Sequence, residues 1–535
     1  MTHTPLLPPC FAFGRGQLPL ALMGGGLILD SGEAENTFAF RCQDRFLAYN
    51  ALLGLRSVLL VLDDAHEARY RVLLANLNAR LRMLSEWQGL PPPHAPAPLY
   101  VRCDLAGLRL SAGGSFDAEA AALAQAGQSV GFIANQVSPT ASRLLGELAG
   151  LLRERGARVE FDAGACTRVG ELALDWHNKA RFLAQRPALQ ARDGPPWADS
   201  MVIPARELLV QPHWQALAAR AMREWNLAGP PTELFLKSAQ DSSGNVSAVV
   251  APDADAASNP AFLAEVRRWL LAEDFAAPAH LHELRTECRL APSLEGVPFG
   301  DALLAALRAR QAQRRGGIAL IAQPVLRPPA DTSGQHPGIG ISLLVEDRGA
   351  RLVAANAQLY RDAQRRQFLG ILLDDGLLHD EAVARFARQC TAAASVLAEQ
   401  GFRGPVNFDG CLARDGSYWF TGDCNPRLTA LYVPLAVRMR LAACGVEAKR
   451  VISFGYRGEV AIADPPATLS TWADAGLLFG ARTQRGMLVL PNLARRAGHD
   501  LLAVNLDRAQ AGDALRRMRL LAPGSVPPQL EAIHG

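Results

Sequence analysis

Two carboxylates, an amide and a guanidinium occur within one short stretch of this chain, a combination that suits a divalent metal ion and phosphate. The stretch begins Gly404-Pro-Val-Asn-Phe-Asp409-Gly and continues, after a turn, as Gly416-Ser-Tyr-Trp-Phe-Thr-Gly-Asp423-Cys-Asn425-Pro-Arg427. Apolar, β-branched and aromatic residues on both sides of the turn predict a β-hairpin. Pairing of its two strands would bring Asp409 and Asp423 close together.

The spacing within the second strand indicates which side chains share a face. Asp423, Asn425 and Arg427 are each two residues apart, and alternate side chains of an extended strand point the same way. Carboxylate and amide oxygens are hard ligands, which Mg²⁺ prefers when it also keeps waters and nucleotide phosphates. A solvated loop after a hairpin accounts for the same residues, so the pattern alone leaves both interpretations open.

Lysine is rare in this chain, which makes each of its positions informative. The 55 basic residues include lysine only at 179, 237 and 449, and codon composition explains the general preference for arginine. An ammonium group is a compact charge that suits a phosphate oxygen. Lys237 ends an apolar run and precedes a serine- and glycine-rich turn that could cover phosphates, with an ordinary hairpin turn as the alternative. Lys179 lies in a predicted helix, where an exposed lysine is the commoner case.

These features follow one another in the order found in the ATP-grasp superfamily, which residues from about 170 to 440 resemble. The order is a helical lysine, a lysine before a serine- and glycine-rich turn, an apolar strand ending in Gln323-Pro-Val, a long helix, and the hairpin with Asp-x-Asn-Pro-Arg. The resemblance implies that ATP is held between two α+β subdomains and phosphorylates a carboxylate, which an amine or another nucleophile then attacks.

By position, the resemblance also implies roles for individual residues. Lys179 and Lys237 match the two lysines that contact nucleotide phosphates. Arg427 matches the arginine that neutralises the transferring phosphoryl group and the acyl phosphate, so Arg427 and Lys237 are the expected catalytic residues. The other implied nucleotide contacts are a mobile loop and a hinge at adenine, formed by Ser242, Ser243 and Gly244, and by Gln323, Pro324 and Val325.

The metal ligands implied by the resemblance are Asp409, Asp423 and Asn425, which would hold Mg²⁺ or, as an alternative, Mn²⁺. The superfamily usually has glutamate where this chain has Asp423. Aspartate is one methylene shorter, so the metal or the strand must shift to make the same contact. The sequence therefore leaves open whether one metal ion or two are bound.

The resemblance extends beyond the nucleotide motifs. The N-terminal third, with Arg41-Cys-Gln-Asp-Arg-Phe-Leu before a strand at 57–63, resembles the pre-ATP-grasp domain of some members. The segment from Asn356 to Gly370 resembles the connection between second-subdomain strands in amino-acid and peptide ligases. Within the superfamily the chain resembles the stand-alone peptide ligases of natural-product pathways, of the type that builds pheganomycin.

The composition is that of a packed globular protein. Of 535 residues, 49% are hydrophobic and 20% charged, and the net charge of +3 comes from acids and bases spread along the chain. Without clustered basic runs, nucleic acid is not an expected partner. The apolar stretch at 18–29 is too short to span a bilayer and has no cleavage site, so neither a membrane anchor nor a signal peptide is expected.

The cysteines indicate a reducing compartment. They number nine, an odd count, and contain no Cys-x-x-Cys pair, which predicts free thiols and a cytoplasmic location. Cys424 lies between Asp423 and Asn425, so its side chain should point away from them into the core.

The pattern of predicted elements indicates a mixed α/β and α+β protein. A strand at 57–62 and a strand–helix–strand unit from Val130 to Phe161 predict a Rossmann-like pre-ATP-grasp domain over residues 1–165, without a dinucleotide fingerprint. Ser138-Pro139 should open the helix of that unit and Gly156 should end it. The ATP-grasp domain is expected over 166–440, with a lid subdomain at about 200–325 and a metal-binding subdomain at about 326–440.

Two expectations concern the elements around and after the hairpin. Apolar residues recur at helical spacing from Val383 to Leu397, so a helix should pack beneath the hairpin. Residues 441–535 are predicted to form a small C-terminal α+β domain with two helices, one near 508–520. Its expected role is to close over the substrate or to form a homodimer.

The predicted function is an ATP-dependent carboxylate–amine ligase that forms an amide or peptide bond through an acyl phosphate and releases ADP and phosphate. Its substrates would be a small carboxylic acid or amino acid and an amine, in natural-product or small-peptide biosynthesis. The alternatives are a thiol or hydroxyl acceptor, as in carrier-protein loading or phosphotransfer, and an ATP-binding sensor or scaffold without turnover. Candidates for holding a substrate carboxylate are Arg351, Arg361, Arg403 and Arg414.

Overall fold

The computed structural model describes most of the chain in separate stretches, without the side chains of 38–42 and 465. The described residues are 6–14, 16–22, 38–104, 109–134, 136–204, 207, 214–239, 247–251, 319–326, 336–360, 368–454, 465–493 and 499–521. They form three β-sheets with helices packed against them.

The first sheet has six strands in the order β1-β6-β2-β3-β4-β5. The central strands β6, β2, β3 and β4 are parallel, while β1 and β5 pair antiparallel at the two edges. Its strands are β1 (Phe11–Phe13), β2 (Leu18–Ala21), β3 (Arg56–Val61), β4 (Leu99–Asp104), β5 (Arg109–Ser111) and β6 (Val130–Ala134). Parallel strands need crossover connections, and helices supply them here: α1 (Phe38–Leu53), α2 (Asp64–Trp87), α3 (Phe116–Gln125) and α4 (Pro139–Glu154).

The predicted strand–helix–strand unit is present in part. Ser138 caps α4 by accepting a hydrogen bond from the Ala141 N–H, and Pro139 occupies the first turn, as predicted. The second predicted strand, Arg158 to Phe161, is wrong as a full strand. Val159 forms only a single parallel bridge to Val130, because the chain turns into the next helix at Asp162.

The second sheet has four antiparallel strands in the order β7-β10-β8-β9. They are β7 (Met201–Pro204), β8 (Leu234–Ser238), β9 (Ser247–Val250) and β10 (Ala319–Pro324). One face packs on a single helix through Trp214, Leu217 and Ala221, which form a separate apolar cluster with the strands. Helices α5 (Ala163–His177), α6 (Lys179–Phe182) and α7 (Arg186–Gln190) precede this sheet in the chain, and the helix that packs on it is α8 (Trp214–Glu224).

The third sheet has eight antiparallel strands in the order β15-β14-β11-β12-β13-β16-β18-β17 and contains the predicted hairpin. Its first five strands in chain order are β11 (Gly338–Glu346), β12 (Gly349–Tyr360), β13 (Phe368–Asp374), β14 (Gly404–Leu412) and β15 (Tyr418–Asn425). Helix α9 (Glu381–Glu399) packs beneath the hairpin as predicted. The Phe386 ring of α9 lies against Gly410, where a side chain of any size would collide with it.

The strands beyond residue 441 extend this same sheet. They are β16 (Arg450–Ser453), β17 (Gly486–Pro491) and β18 (His499–Val504), and β16 pairs directly with β13. The two predicted C-terminal helices are present as α11 (Pro465–Asp474) and α12 (Arg508–Leu521), after α10 (Tyr432–Ala443). A boundary at residue 440 therefore falls within one sheet, and the division into three domains stays a prediction.

Together, one sheet with a parallel core and two antiparallel sheets confirm the predicted mixed α/β and α+β class. Among the residues that the structure describes, no helix combines the length and hydrophobicity needed to cross a bilayer.

Candidate active site

A local irregularity of the hairpin positions its two carboxylates. Phe408 pairs with Cys424 and Gly410 pairs with Phe420, so the single residue Asp409 lies opposite the three residues from Thr421 to Asp423. The extra residues form a bulge, and Gly422 adopts a φ of 80°, which favours glycine. Asp423 keeps the alternation of β15 that the sequence predicts, because Thr421 and Asp423 are half-buried while Gly422 and Cys424 are buried.

Asp423 lies in what we call the lysine pocket, formed with Lys179 and Lys237. Lys237 Nζ is 2.5 Å from Asp423 Oδ2 and donates a second hydrogen bond to the Thr421 carbonyl at 2.8 Å. Lys179 Nζ is 3.4 Å from Asp423 Oδ1. Both lysines are 7% exposed, although lysine is rarely buried without a counter-charge. The structure thus places two of the three lysines of the chain on one carboxylate.

The charges of the lysine pocket determine its ionisation. Burial raises the pKa of Asp423, but the charges of Lys237 and Lys179 outweigh burial and lower that pKa to about 2. Burial lowers the pKa of Lys237, and the charge of Asp423 opposes that shift. At neutral pH Asp423 is therefore an ionised carboxylate in contact with both lysines.

Two different elements deliver these lysines. Lys237 lies on β8, opposite Ile321 of β10 and Ser247 of β9. Lys179 is the first residue of α6, whose N-terminal N–H groups are capped by the Asn178 side chain. The Lys179 backbone N–H donates to the Ala239 carbonyl at 2.8 Å, which ties the start of α6 to the end of β8.

Asp409 lies in a second environment, the amide pocket, which is formed by Asn407, Gln358 and Asn425. Asp409 Oδ1 accepts from Asn407 Nδ2 at 2.9 Å and from Gln358 Nε2 at 3.1 Å, and Oδ2 accepts from Asn425 Nδ2 at 2.9 Å. Burial and the nearby charge of Asp423 raise the pKa of Asp409 to about 6. Neutral donors thus surround a carboxylate that keeps its proton more readily than Asp423 does.

Two hydroxyl groups fix the orientation of the amide pocket. Ser342 Oγ donates to Asn407 Oδ1 at 2.9 Å, and Tyr360 Oη donates to Gln358 Oε1 at 2.5 Å. Because each amide oxygen is already an acceptor, each amide nitrogen turns toward Asp409. The sequence patterns did not predict roles for Ser342, Gln358, Tyr360 and Asn407, although polar residues at alternate positions of otherwise apolar strands are a signal for them.

Arg427 follows β15 and lies where the third sheet meets the first. Its backbone N–H donates to the Asn425 carbonyl at 2.7 Å, and it forms an antiparallel bridge with Gln136, just after β6. Its side chain is half-buried. Its charge acts to lower the pKa of Asp409, so the guanidinium lies near that carboxyl and next to the N-terminal sheet.

The predicted hinge residues lie at the end of β10. Gln323 is buried, and its Nε2 donates to Ser200 Oγ and to the Thr421 carbonyl, each at 2.8 Å. Pro324 ends the strand and Val325 follows it. Thr421 thus accepts from both Gln323 and Lys237, which links the second sheet to the bulge of the hairpin.

An apolar strip runs beside Lys237 on the second sheet. Ile321 lies between Lys237 and Val202 in the register of the three strands, and directly paired residues share a face. Apolar side chains next to an ammonium group suit a ligand with a flat apolar part and an anionic part. The predicted loop residues Ser242, Ser243 and Gly244 lie outside the described residues.

The candidate arginines for a substrate carboxylate are not gathered at this site. Arg351 pairs with Glu346, and Arg403 pairs with Asp347. These two pairs lie at the C-terminal end of β11, whereas Asp409 pairs near its N-terminal end. Arg414 is exposed on the turn of the hairpin. Arg361 lies outside the described residues.

The donor set fits a hard divalent cation that is shared with phosphates. No cluster of three or more histidine, cysteine, aspartate or glutamate side chains occurs in the part of the chain that the structure describes. Asp409 and Asp423 could supply carboxylate oxygens and Asn425 an amide oxygen, a set too small to enclose Mg²⁺ but sufficient beside nucleotide phosphates and water. Cys424 is buried in the core, as predicted.

The solved structures that resemble this chain share little sequence with it. No family model matches the sequence, and no curated protein matches it. An ADP complex of N5-carboxyaminoimidazole ribonucleotide synthetase is 12% identical, covers 97% of this chain and 98% of its own, and has a TM-score of 0.42. Biotin carboxylase from Campylobacter jejuni is 12% identical over 97% and 93% of the two chains, with a TM-score of 0.42.

A third solved structure, the N5-carboxyaminoimidazole ribonucleotide synthetase from Thermus thermophilus, is 11% identical over 96% of this chain and 100% of its own, with a TM-score of 0.42. Similarity at this level determines no activity for the chain. Function must therefore be inferred from the residues of the site.

Proposed function

We propose that this chain is an ATP-dependent carboxylate–amine ligase of the ATP-grasp type, which forms an amide or peptide bond through an acyl phosphate. The observation that carries the proposal is the lysine pocket, because Lys179 and Lys237 arrive from separate elements and converge on Asp423. Two buried ammonium groups around one carboxylate form a charge arrangement that nucleotide phosphates and a divalent cation can enter. The neighbouring guanidinium of Arg427 supplies the further positive charge that phosphoryl transfer needs.

The proposed roles follow from the position of each side chain. Lys179 and Lys237 bind phosphate oxygens of ATP, and Arg427 stabilises the charge on the γ-phosphoryl group during transfer. The apolar strip of Ile321 and Val202 and the segment Gln323–Val325 contact the adenine. A substrate carboxylate oxygen attacks the γ-phosphorus, and the bond to the β-phosphate oxygen breaks to release ADP.

The second half-reaction needs positioning more than acid–base assistance. The amine nitrogen attacks the acyl carbon, the carbon–oxygen bond to phosphate breaks, and a proton leaves the nitrogen as the amide forms. An acyl phosphate is already activated, so holding the amine within reach of the acyl carbon supplies much of the rate. The products are the amide, ADP and phosphate.

Asp409, Asp423 and Asn425 are the residues that would hold Mg²⁺ or Mn²⁺ with the nucleotide. When bound, the cation would neutralise phosphate charge and help to orient the γ-phosphoryl group. We also propose the division into domains at 1–165, 166–440 and 441–535, and a role in peptide or natural-product biosynthesis, on the strength of the sequence motifs.

Product analysis tests the proposal. The full chain is incubated with Mg-ATP and pools of small carboxylic acids, amino acids and amines, and ADP, AMP, phosphate and pyrophosphate are measured together. The expected result is equal formation of ADP and phosphate that requires an acid in the pool. AMP with pyrophosphate would overturn the acyl-phosphate route.

Two other outcomes point to the alternatives. Formation of ADP without any carboxylic acid, with a phosphorylated hydroxyl compound as the second product, would indicate simple phosphotransfer. Binding of ATP without turnover in any pool would indicate a sensor or scaffold.

A further inference from the structure

Gln136 lies where the N-terminal sheet meets the hairpin. One residue, Asn135, separates it from the end of β6, and it precedes the residue that caps α4. Strand β6 lies on one side of β2, while the chain proceeds from β2 to β3 and β4 on the other. Carboxyl ends of parallel strands at such a reversal of strand order are where open α/β sheets bind their ligands.

The side chain of Gln136 has a buried carbonyl that the described fold does not use. The residue is 5% exposed, and its Oε1 has no hydrogen-bond partner among the described residues. Native proteins satisfy the large majority of their buried polar groups, so an exception requires an explanation. By contrast Gln88, which is also buried, uses both ends of its amide to bind the backbone of α2 and β17.

The neighbour of Gln136 across the bridge is Arg427. The two residues are directly opposed in an antiparallel bridge, and such pairs have their side chains on one face, with Cβ atoms roughly 5 Å apart. Gln136 Oε1 is an acceptor, and a guanidinium carries five N–H donors in a fixed plane. Both side chains are long enough to meet from neighbouring positions on one face, so an acceptor of Gln136 can reach a donor of Arg427.

We propose that Gln136 is a positioning residue for Arg427, whose guanidinium donates to Gln136 Oε1 when nucleotide and acid are bound. The hydrogen bond fixes the plane of the guanidinium, so that its remaining N–H groups face the γ-phosphoryl group. The N-terminal sheet thereby takes part in phosphoryl transfer without contacting the reacting atoms. This inference rests on the proposed function, because it assigns Arg427 to the γ-phosphate.

Nucleotide binding tests the inference independently of turnover. The affinities for Mg-ADP and for the β,γ-imido analogue of ATP are measured by calorimetry, since only the analogue carries a γ-phosphate. Gln136→Met removes the acceptor at similar length and should reduce the preference for the analogue about tenfold, as expected for a hydrogen bond to a charged group. Gln136→Glu retains an acceptor oxygen and should keep most of the preference.

A double-mutant cycle separates positioning from direct contact. If Gln136 acts through Arg427, Gln136→Met should add nothing in the Arg427→Lys background, because lysine lacks the planar fork. Full additivity of the two changes would overturn the inference, and so would an unchanged preference in Gln136→Met. Gln88→Met is the matched control: it should lower thermal stability and leave the nucleotide preference as in the unsubstituted protein.

A stability measurement completes the design. Removing an unsatisfied buried carbonyl oxygen should leave the melting temperature of Gln136→Met unchanged or raise it, so that lost preference and lost folding are distinguishable. If product analysis finds no acid-dependent ADP while the cycle still couples Gln136 to Arg427, the proposed function fails and the inference about this pair stands. If acid-dependent ADP forms and the coupling is absent, only the inference fails.

Discussion

Asp409 and Asp423 lie on the two paired strands of one hairpin, yet their surroundings are opposite. Asp423 is held by ammonium groups, and its pKa falls to about 2 although burial acts to raise it. Asp409 is held by neutral amide N–H groups, and burial raises its pKa to about 6. The same residue type is therefore a fixed negative charge in the lysine pocket and a carboxyl that exchanges its proton near neutral pH in the amide pocket.

The difference indicates that the two carboxyl groups have different roles in the site. In the lysine pocket the carboxylate contacts both lysines, which we propose bind phosphate. In the amide pocket the oriented amides donate to a carboxyl that we propose as a metal ligand.

Asp423→Asn should abolish turnover, with a loss of about a thousandfold or more. The change leaves two buried lysines without their counter-charge and removes a candidate metal ligand, so the folded state should also lose about 3 kcal/mol. Steady-state ADP formation and chemical unfolding measure the two effects. The control is Asp415→Asn on the exposed turn of the same hairpin, where the Asp415 carboxylate accepts hydrogen bonds from Ser417. Undiminished activity of Asp423→Asn would remove Asp423 from the site.

The three lysines form a graded series. Lys237→Met should lower kcat/KM about a hundredfold, because its ammonium group makes the shorter contact to Asp423 and also binds Thr421. Lys179→Met should lower it about tenfold, since its contact is 3.4 Å. Lys449→Met is the control, because Lys449 is exposed and pairs only with Glu447. Equal losses for all three variants would contradict the account of the lysine pocket.

The amide pocket should make the free energy of unfolding of the metal-free protein depend on pH. The pKa of Asp409 is raised from 3.8 to about 6, so the folded state retains a proton that the unfolded chain releases between these values. The carboxyl thus costs stability as pH rises from about 4 to 6. Asp409→Asn should therefore gain about 2 kcal/mol relative to the unsubstituted protein between pH 4 and pH 7.

Urea unfolding at a series of pH values measures this gain. Asp423→Asn serves as the comparison, because the pKa of Asp423 is about 2 and its ionisation is complete throughout that range. If the free energy of unfolding of both variants, relative to the unsubstituted protein, changed with pH in the same direction, the two pockets would not differ in ionisation.

The smallest effects should come from the hydroxyl groups that orient the amides. Tyr360→Phe and Ser342→Ala each free one amide oxygen, so Gln358 or Asn407 can turn its oxygen toward Asp409. Each change should raise the Mg²⁺ concentration for half-maximal ADP formation about tenfold. Ser395→Ala on α9, where the hydroxyl binds only a helix carbonyl, is the control and should leave the Mg²⁺ dependence unchanged.

Local sequence patterns predicted the elements of the site but not its pockets. Apolar, β-branched and aromatic residues on both sides of the Arg414–Gly416 turn predicted the hairpin, and the spacing from Val383 to Leu397 predicted the helix beneath it. These features depend on residues close in sequence. The lysines were singled out by their rarity, yet their convergence on Asp423 depends on contacts across more than 180 residues.

The amide pocket escaped prediction because the sheet order is non-local. Strand β11 lies between β12 and β14, so Gln358, Ser342 and Asn407 meet only after three strands pair. The bulge at Gly422 also escaped, since an isolated glycine does not reveal how many residues will lie opposite Asp409. The same limit applies to Arg158–Phe161, whose alternation predicted a strand where the fold forms one bridge.

The most direct test of the central claim follows the oxygen of the acid substrate. The pool that supports ADP formation is prepared with ¹⁸O in its carboxyl groups, and the released phosphate is analysed by mass spectrometry. Attack of the carboxylate on the γ-phosphorus and later release of the acyl group predict one ¹⁸O atom in each phosphate. Phosphate without ¹⁸O, or label appearing in AMP, would contradict the acyl-phosphate ligase.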